Sequence, residues 1–339
     1  MTHVGIIGGG GISETHARAA QELEGVEIVA FFGRNADKVS RLSASYNASA
    51  YADFKAFLRH RPMDLVLIGS PSGLHAEQGI AAAQQGLHVL VEKSIDVSTR
   101  AADELIEACE RAGVKLGVFF QDRCAADVCR LKQLIDEGRL GKPILASARV
   151  NWYRPPEYYS RSDWRGSPAL AGGGALISQA IHTVDLLLWL MGDAARVYAK
   201  ARAALHPIEV EDTLVATLEF SNGAMGTLEA TTSVYPGYDR RLELTGSEGT
   251  IVLERDRLVR ADLKTPLALE PVAANQNQSA SSPVISDVSG HKKILADFLH
   301  AIASDSTPLC DGREGRRSLE LVEAIYESAR TDNPVTLRH

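Results

Sequence analysis

The sequence predicts an α/β protein: a doubly wound parallel sheet at the N-terminal end, then an α+β domain whose sheet is mostly antiparallel. Three observations predict it. From Val4 to Phe120, short continuous apolar runs alternate with helical stretches, the pattern of strands buried on both faces by crossover helices. After Gln121 that alternation stops. From Val197 onward, strand-like segments carry apolar and polar side chains in turn, with turn signals between them, as in a sheet with one face on a core.

The elements follow in order. The run 4–8 reads as the first strand, 13–23 as its helix, 27–32 as the second strand and 37–46 as the second helix. A third strand covers 64–69, and an Ala/Gln-rich helix over 76–85 is closed by Gly86. A fourth strand covers 88–91, a helix over 99–112 precedes Gly113, and 114–120 is a fifth strand. Glycine just past the last periodic residue is a common helix stop. Beyond 121, a helix over 125–137 ends at Gly138, Gly141-Lys142-Pro143 leads into a strand, and a helix over 175–190 ends at Gly192. Strands are predicted at 197–203, 213–220, 224–232, 240–245 and 250–254, with hairpin signals at Asn222-Gly223 and Glu248-Gly249. The polar, Ser-rich stretch 276–289 reads as a loop, and helices over 292–303 and 316–329 close the chain. The expected domains are 1–121 and 122–339, and the outer face of the second sheet is expected to join copies of the chain as a dimer or tetramer.

With 339 residues, both domains are large enough for a core. Lys plus Arg number 36 against 43 Asp plus Glu, a formal charge of −7 without basic blocks. That balance argues against nucleic acid or an anionic membrane as partner. The first strand begins almost at once, which predicts no secretory leader. The longest apolar runs, such as 186–191, are short for a membrane span. Cys109, Cys124, Cys129 and Cys310 fit no zinc spacing. They read as free, mostly buried thiols in a reducing cytoplasm. No metal site is expected.

Gly8-Gly9-Gly10-Gly11-Ile12-Ser13 lies between the first strand and its helix. It reads G-x-G-x-x-S, with serine where the third glycine usually stands. In that strand–loop–helix context the motif predicts a Rossmann dinucleotide site. Glycine permits the tight turn and close approach of a pyrophosphate, and the amides at the helix start face its charge. The end of the second strand bears on the cofactor. Where NAD enzymes usually carry an acid for the ribose hydroxyl, this chain has Phe32-Gly33-Arg34-Asn35. Gly33 leaves room, Arg34 can pair with a 2′-phosphate, and Lys38 adds charge. NADP is therefore favoured, with NAD as the alternative because Asp37 is close by.

Open α/β sheets bind ligands at the C-terminal ends of their strands. There the chain carries Gly69-Ser70-Pro71-Ser72-Gly73-Leu74-His75 and Val91-Glu92-Lys93-Ser94, and later Gly172-Gly173-Gly174 followed by Ser178, His182 and Asp185. This ordered set resembles the Gfo/Idh/MocA family, named from glucose–fructose oxidoreductase and inositol dehydrogenase, over nearly the whole chain. The resemblance implies that Lys93 lies beside the nicotinamide and the substrate hydroxyl, with Glu92 in the cofactor wall. It also implies that Ser70, Pro71, Ser72 and His75 line the dinucleotide, that Gln121 lies near the nicotinamide amide, and that His291 approaches the same ring. His182 matches the histidine that reaches the substrate. The loop Trp152-Tyr153-Arg154-Pro155-Pro156-Glu157-Tyr158-Tyr159, with Asp163-Trp164-Arg165-Gly166, is similar to a subgroup that includes dehydrogenases oxidising C3 of UDP-N-acetylglucosaminuronate. That likeness implies Trp164 and Arg165 against the cofactor, and Tyr153 and Arg154 toward the substrate. Two departures stand out. Ser94 replaces the family proline, loosening the turn after Lys93, and Ser178 replaces an acid or amide four residues before His182.

Oxidising a carbinol removes a hydride, which the nicotinamide takes, and a proton, which the protein must take. Lys93, partly desolvated beside a cationic ring, is expected to have a lowered pKa and to serve as base or hydrogen-bond donor to the oxygen. His182 is the alternative base or acid. Ser178, His182 and Asp185, at i, i+4 and i+7, would share a helical face, with Asp185 orienting the imidazole. The expected activity is NAD(P)-dependent hydride transfer to or from a carbon of a sugar, cyclitol or nucleotide sugar. The alternatives are an NAD-dependent glycosidase working by oxidation and elimination, and a non-catalytic nucleotide-binding sensor.

Overall fold

The computed structural model describes residues 1–160, 165–267 and 287–337. The chain divides into two compact units, residues 1–121 with 284–317 and residues 122–283 with 318–339. The second domain expected over 122–339 is therefore not continuous, because the helix Ser289–Ser304 belongs to the first unit. Its apolar face explains why. Ile294, Leu295, Phe298 and Ala301 are each at most 2% exposed, and the Phe298 ring fills the space that a side chain at Gly117 would need. The predicted loop over 276–289 lies outside the described residues up to 286; Ser289 already starts the helix.

The first unit holds six parallel strands: β1 Thr2–Ile7, β2 Val26–Phe32, β3 Ser49–Tyr51, β4 Leu65–Ile68, β5 His88–Val91 and β6 Leu116–Val118. Their order is β3–β2–β1–β4–β5–β6. Five strands were expected from the sequence. The sixth, β3, is three residues long and exposed at Ser49 and Ala50, too short to show a period. β4 is fully buried along its length, at about 1.5–3 kcal/mol per large apolar side chain. Strand order reverses between β1 and β4, which makes their C-terminal ends the switch point where such sheets take ligands.

The second unit is built on eight strands: β7 Pro143–Asn151, β8 Ala194–Arg202, β9 Thr213–Phe220, β10 Met225–Thr231, β11 Arg241–Gly246, β12 Gly249–Glu254, β13 Arg257–Leu263 and β14 Val335–Thr336. They run β13–β12–β11–β7–β10–β9–β8–β14, with β7 and β10 parallel and the other pairs antiparallel. The sequence pattern did not reveal β13 or β14. One face buries Ala146, Ala148, Val150, Leu214, Leu218 and Leu244, and the helix Ile181–Met191 packs on β7. The stretch 168–191 is long and apolar enough to cross a membrane, beyond what its apolar runs suggested, but its most apolar 18 residues are 78% buried within the protein. It is the core helix of this unit. The opposite face of the sheet leaves Leu145, Val215 and Met225 about half exposed or more (47%, 51% and 61%).

Candidate active site

In the first unit, β1 runs into the glycine loop and the helix Gly11–Gln21. Gly8 has φ +127°, and a side chain there would strike Ser13 Oγ and the Gly69 carbonyl. Only glycine suits that backbone and that approach. Gly9, Gly10 and Gly11 have no such crowding, and at Gly10 and Gly11 added carbons would meet open space. No side chain caps the helix start at Gly10, so its first amides are left for an anionic group. Ser13 is completely buried where the usual third glycine lets helix and strands close up; Ile12 packs on Gly69 beside it. Gly33 is also a packing position, since Val39 Cγ2 stands 2.9 Å from where its side chain would begin. Beyond it, Arg34 and Lys38 are exposed, while Asn35 caps the next helix by accepting from the Lys38 amide (3.0 Å).

The ends of β4 and β5 are tied together by His75. Its ring is completely buried, with Nδ1 2.8 Å from the Ser94 carbonyl and Nε2 2.8 Å from the Ser70 carbonyl. His75 thus ties the two strand ends together at the switch point. Ser70 and Pro71 remain half-buried, as does Ser72, and the Ser70 hydroxyl donates to Gln78 (2.6 Å). The turn after Lys93 is not loosened by Ser94. The residue is 2% exposed, and His75 Nδ1 lies against its carbonyl.

Glu92 is also buried, at 6% exposure. His16 Nε2 donates to its Oε1 at 2.9 Å, His291 Nε2 stands 3.4 Å from the same oxygen, and Oε2 accepts from the Lys93 amide at 3.2 Å. Burial pushes the Glu92 carboxyl up, but the two histidines together hold it well below the usual carboxylate range. Burial holds His16 below its ordinary value against the pull of Glu92, and does the same to His75 against two carbonyls and Asp96. His16 stacks on Phe119 (4.4 Å between centroids) and His291 tilts against the same ring (5.4 Å). Glu92 and His291, with His16, therefore form an internal brace next to Lys93. Lys93 itself is half-buried at the end of β5. Gln121 follows β6 with its Oε1 buried and without a hydrogen-bond partner, which fits an acceptor kept for a ligand amide.

Stability follows from these buried rings. The folded pKa values of His16 and His75 lie below the unfolded ones, so the unfolded chain binds more protons as pH falls. The stabilising contribution is complete above the ordinary histidine value and is lost below it, at about 1.4 kcal/mol per pH unit per ring. Urea midpoints measured at about pH 7.5 and about pH 5 are expected to fall in acid. A midpoint that does not move would remove His16 and His75 from that account.

In the second unit, the apolar helix is preceded by one π turn, Leu176–Ala180. A π turn adds a residue to the helical repeat, so Ser178 does not share the α-helical face expected with His182. Its hydroxyl turns back to the Gly173 carbonyl at 3.5 Å. Glu211 fixes the start of this segment by accepting from the Gly174 and Leu176 amides (2.9 and 2.8 Å) and from Tyr326 (2.9 Å). Asp185 is engaged by an arginine remote in the chain. It is 1% exposed and is held by Arg123 Nε and Nη2 at 2.8 and 2.6 Å, with Ser318 Oγ at 3.1 Å. A carboxylate enclosed this way has a structural partner of its own. The acid near His182 is Asp122, whose Oδ2 stands 3.6 Å from His182 Nδ1, and Arg240 donates to the same oxygen.

A cluster of cations and aromatics lies in the same unit. Arg154, 4% exposed, sits over Trp152 and Tyr158 (5.0 and 5.5 Å) and donates to Gln179 (3.0 Å). Arg165 covers Tyr158 at 4.3 Å. Tyr153 is half-buried, edge-on to Tyr235. Trp164 lies outside the described residues. Of the four thiols only Cys109 and Cys310 are buried, whereas Cys129 is exposed; burial pushes the Cys109 thiol up to about 12.

His16, Asp122 and Arg240 escaped the sequence reading. His16 had a signal, since it falls three residues after Ser13 on the inward face of the glycine helix. The other two had none, because their partners are remote in the chain.

Fold and glycine loop together define a nicotinamide-dinucleotide-binding oxidoreductase. Residues 2–120 match the oxidoreductase family with an NAD-binding Rossmann fold, and residues 128–252 match the GFO/IDH/MocA C-terminal domain. The chain belongs to the Gfo/Idh/MocA family. It is 32% identical to the WlbA dehydrogenase of Bordetella pertussis, solved with NADH and UDP-GlcNAcA, over 100% of this chain and 99% of that one, with a TM-score of 0.89. It is 26% identical to the uncharacterized oxidoreductase YrbE of Bacillus subtilis over 99% of this chain and 96% of the relative. With the myo-inositol 2-dehydrogenase of Thermotoga maritima it shares 25% identity, over 98% of each.

Proposed function

We propose that this enzyme transfers a hydride between a bound nicotinamide dinucleotide and a hydroxyl-bearing carbon of a sugar, with nucleotide-linked sugar acids as the leading substrate class. The observation that carries this reading is the full-length 32% identity with a dehydrogenase solved with NADH and UDP-GlcNAcA. The Arg154–Tyr158–Arg165 cluster supports it, since stacked guanidiniums suit a carboxylate or phosphate. The chain's residues fit the dinucleotide: open glycines at an uncapped helix start, and the unpartnered Gln121 oxygen. When bound, the dinucleotide supplies the hydride acceptor.

Lys93 takes the proton or hydrogen-bonds the oxygen as charge develops, and His182 serves as acid or base. Tyr153, Arg154 and Ser178 bind substrate in this reading. Arg34 and Lys38, exposed where β2 ends without an acid, favour NADP over NAD. Arg34→Ala is then expected to weaken NADP binding about ten- to a hundredfold, the value of a lost charge-assisted hydrogen bond, and to leave NAD binding unchanged. Titration by fluorescence measures both, and a wild type that prefers NAD and a variant that behaves alike would dismiss the 2′-phosphate argument. The half-exposed Leu145, Val215 and Met225 favour a homo-oligomer through the outer sheet face, and four free cysteines favour the cytoplasm.

The experiment is a screen of NAD and NADP against UDP-GlcNAcA, free sugars and inositols, read as nicotinamide absorbance. A lasting rise with a nucleotide sugar acid is expected. Aglycone release without a lasting rise would replace the reading with oxidation and elimination, and no turnover of any sugar would end it.

A further inference from the structure

We infer that Asp122 is the positioning residue for His182, an acid supplied from the turn after β6 in place of one on the histidine's own helix. This rests on the reading of His182 as a proton-transfer group. The two acids or near-acids that the helix could offer are both unsuitable. Ser178 has no charge and is turned toward Gly173, and Asp185 is enclosed by Arg123 and Ser318. Asp122 approaches instead, with Oδ2 3.6 Å from His182 Nδ1 and the two side chains only 18% and 14% exposed. That is within ion-pair range and a few tenths of an ångström beyond a hydrogen bond. Catalytic hydrogen bonds are often long before substrate arrives.

Charge accounting around the imidazole points the same way. Arg240, 10% exposed on its side chain, donates from Nη1 to Asp122 and from Nη2 to Asp256. That guanidinium faces two carboxylates, and a protonated His182 brings a second cation against Asp122. Arg255 faces Asp256 and pairs with Asp239 at 3.3 Å, and Arg123 is spent on Asp185. Asp122 stands directly against the ring. An acid at Nδ1 selects the tautomer with the proton there.

The arrangement makes opposite demands on two variants. Removing the Asp122 charge leaves His182 beside Arg240 and disfavours the imidazolium. Removing Arg240 frees Asp122 to act on the ring and favours it. The test is histidine NMR on the full-length protein saturated with dinucleotide, labelled at Cε1 and the ring nitrogens. The His182 signal, one of 10 histidines, is assigned by its loss in His182→Asn. Asp122→Asn is expected to lower the His182 titration midpoint by about one unit and to abolish the preference for the Nδ1–H tautomer. Arg240→Gln is expected to raise that midpoint. If either variant does not fold, Asp122→Ser or Arg240→Met takes its place with the same direction expected. A merely structural role moves both midpoints the same way or neither, and either result overturns the inference.

The pH profile of kcat/KM separates this from the function of His182 itself. If His182→Asn keeps full turnover, the proton-transfer reading fails whatever the NMR shows. If His182→Asn loses turnover and Asp122→Asn leaves both midpoint and profile unmoved, only the role of Asp122 falls.

Discussion

Lys93→Met is expected to lower kcat/KM by about a hundred- to ten-thousandfold, the usual worth of a positioned acid–base group, while dinucleotide affinity stays as in the wild type. Methionine keeps the length and apolar stem of the lysine and removes only the ammonium, so the turn has no reason to move. The anchor beneath it is unaffected: Glu92 still accepts from the amide of residue 93, His16 and His291 still face Glu92, and His75 still holds the Ser94 carbonyl. Steady-state kinetics with the best substrate from the cofactor screen, together with dinucleotide titration, reads both quantities. Turnover equal to that of the wild type would remove Lys93 from the chemistry. Lost dinucleotide binding would make its role that of a ligand to the cofactor.

The second large effect is on stability. Arg123→Met is expected to destabilise the second unit by about 3–5 kcal/mol, because Asp185 is then left charged, 1% exposed and short of its main partner. Arg123→Met with Asp185→Leu is expected to recover most of that loss, since two apolar side chains replace two buried charges. Urea unfolding of the wild type, each single variant and the double variant closes the cycle. A loss in the double variant equal to the sum of the two single losses would mean that the pair contributes nothing as a pair. Folded Asp185→Asn is expected to turn over within a few-fold of the wild type, against the catalytic role that its spacing from His182 suggests.

These two residues show how legibility divided. Lys93 was found because its cue is local: an apolar strand ends, and Glu-Lys-Ser follows at the edge where ligands bind. The glycine loop was legible for the same reason, since a turn of that curvature at Gly8 must be written in adjacent residues. The Arg123 partner of Asp185 was not legible, because it lies 62 residues away in the chain, and the π turn that moves Ser178 off the His182 face leaves no local sign. β3 and β14 carry three and two residues, too few to mark a period. The place of Ser289–Ser304 in the first unit depends on where Phe298 finds a cavity, at Gly117, far away in the chain.

By itself the sequence determined the two sheet types, the dinucleotide loop, the lysine at the end of β5 and the histidine helix. Backbone conformation and strand or helix periodicity depend on near neighbours, so they can be read from one short stretch at a time. Tertiary structure alone decided which acid serves which base: Glu92 between His16 and His291, Asp185 with Arg123, Asp122 with His182 and Arg240. Charged side chains are paired by packing that brings residues 16, 92 and 291, or 122, 182 and 240, together, and Coulomb attraction in a buried setting acts on distance in space, whatever the separation along the chain.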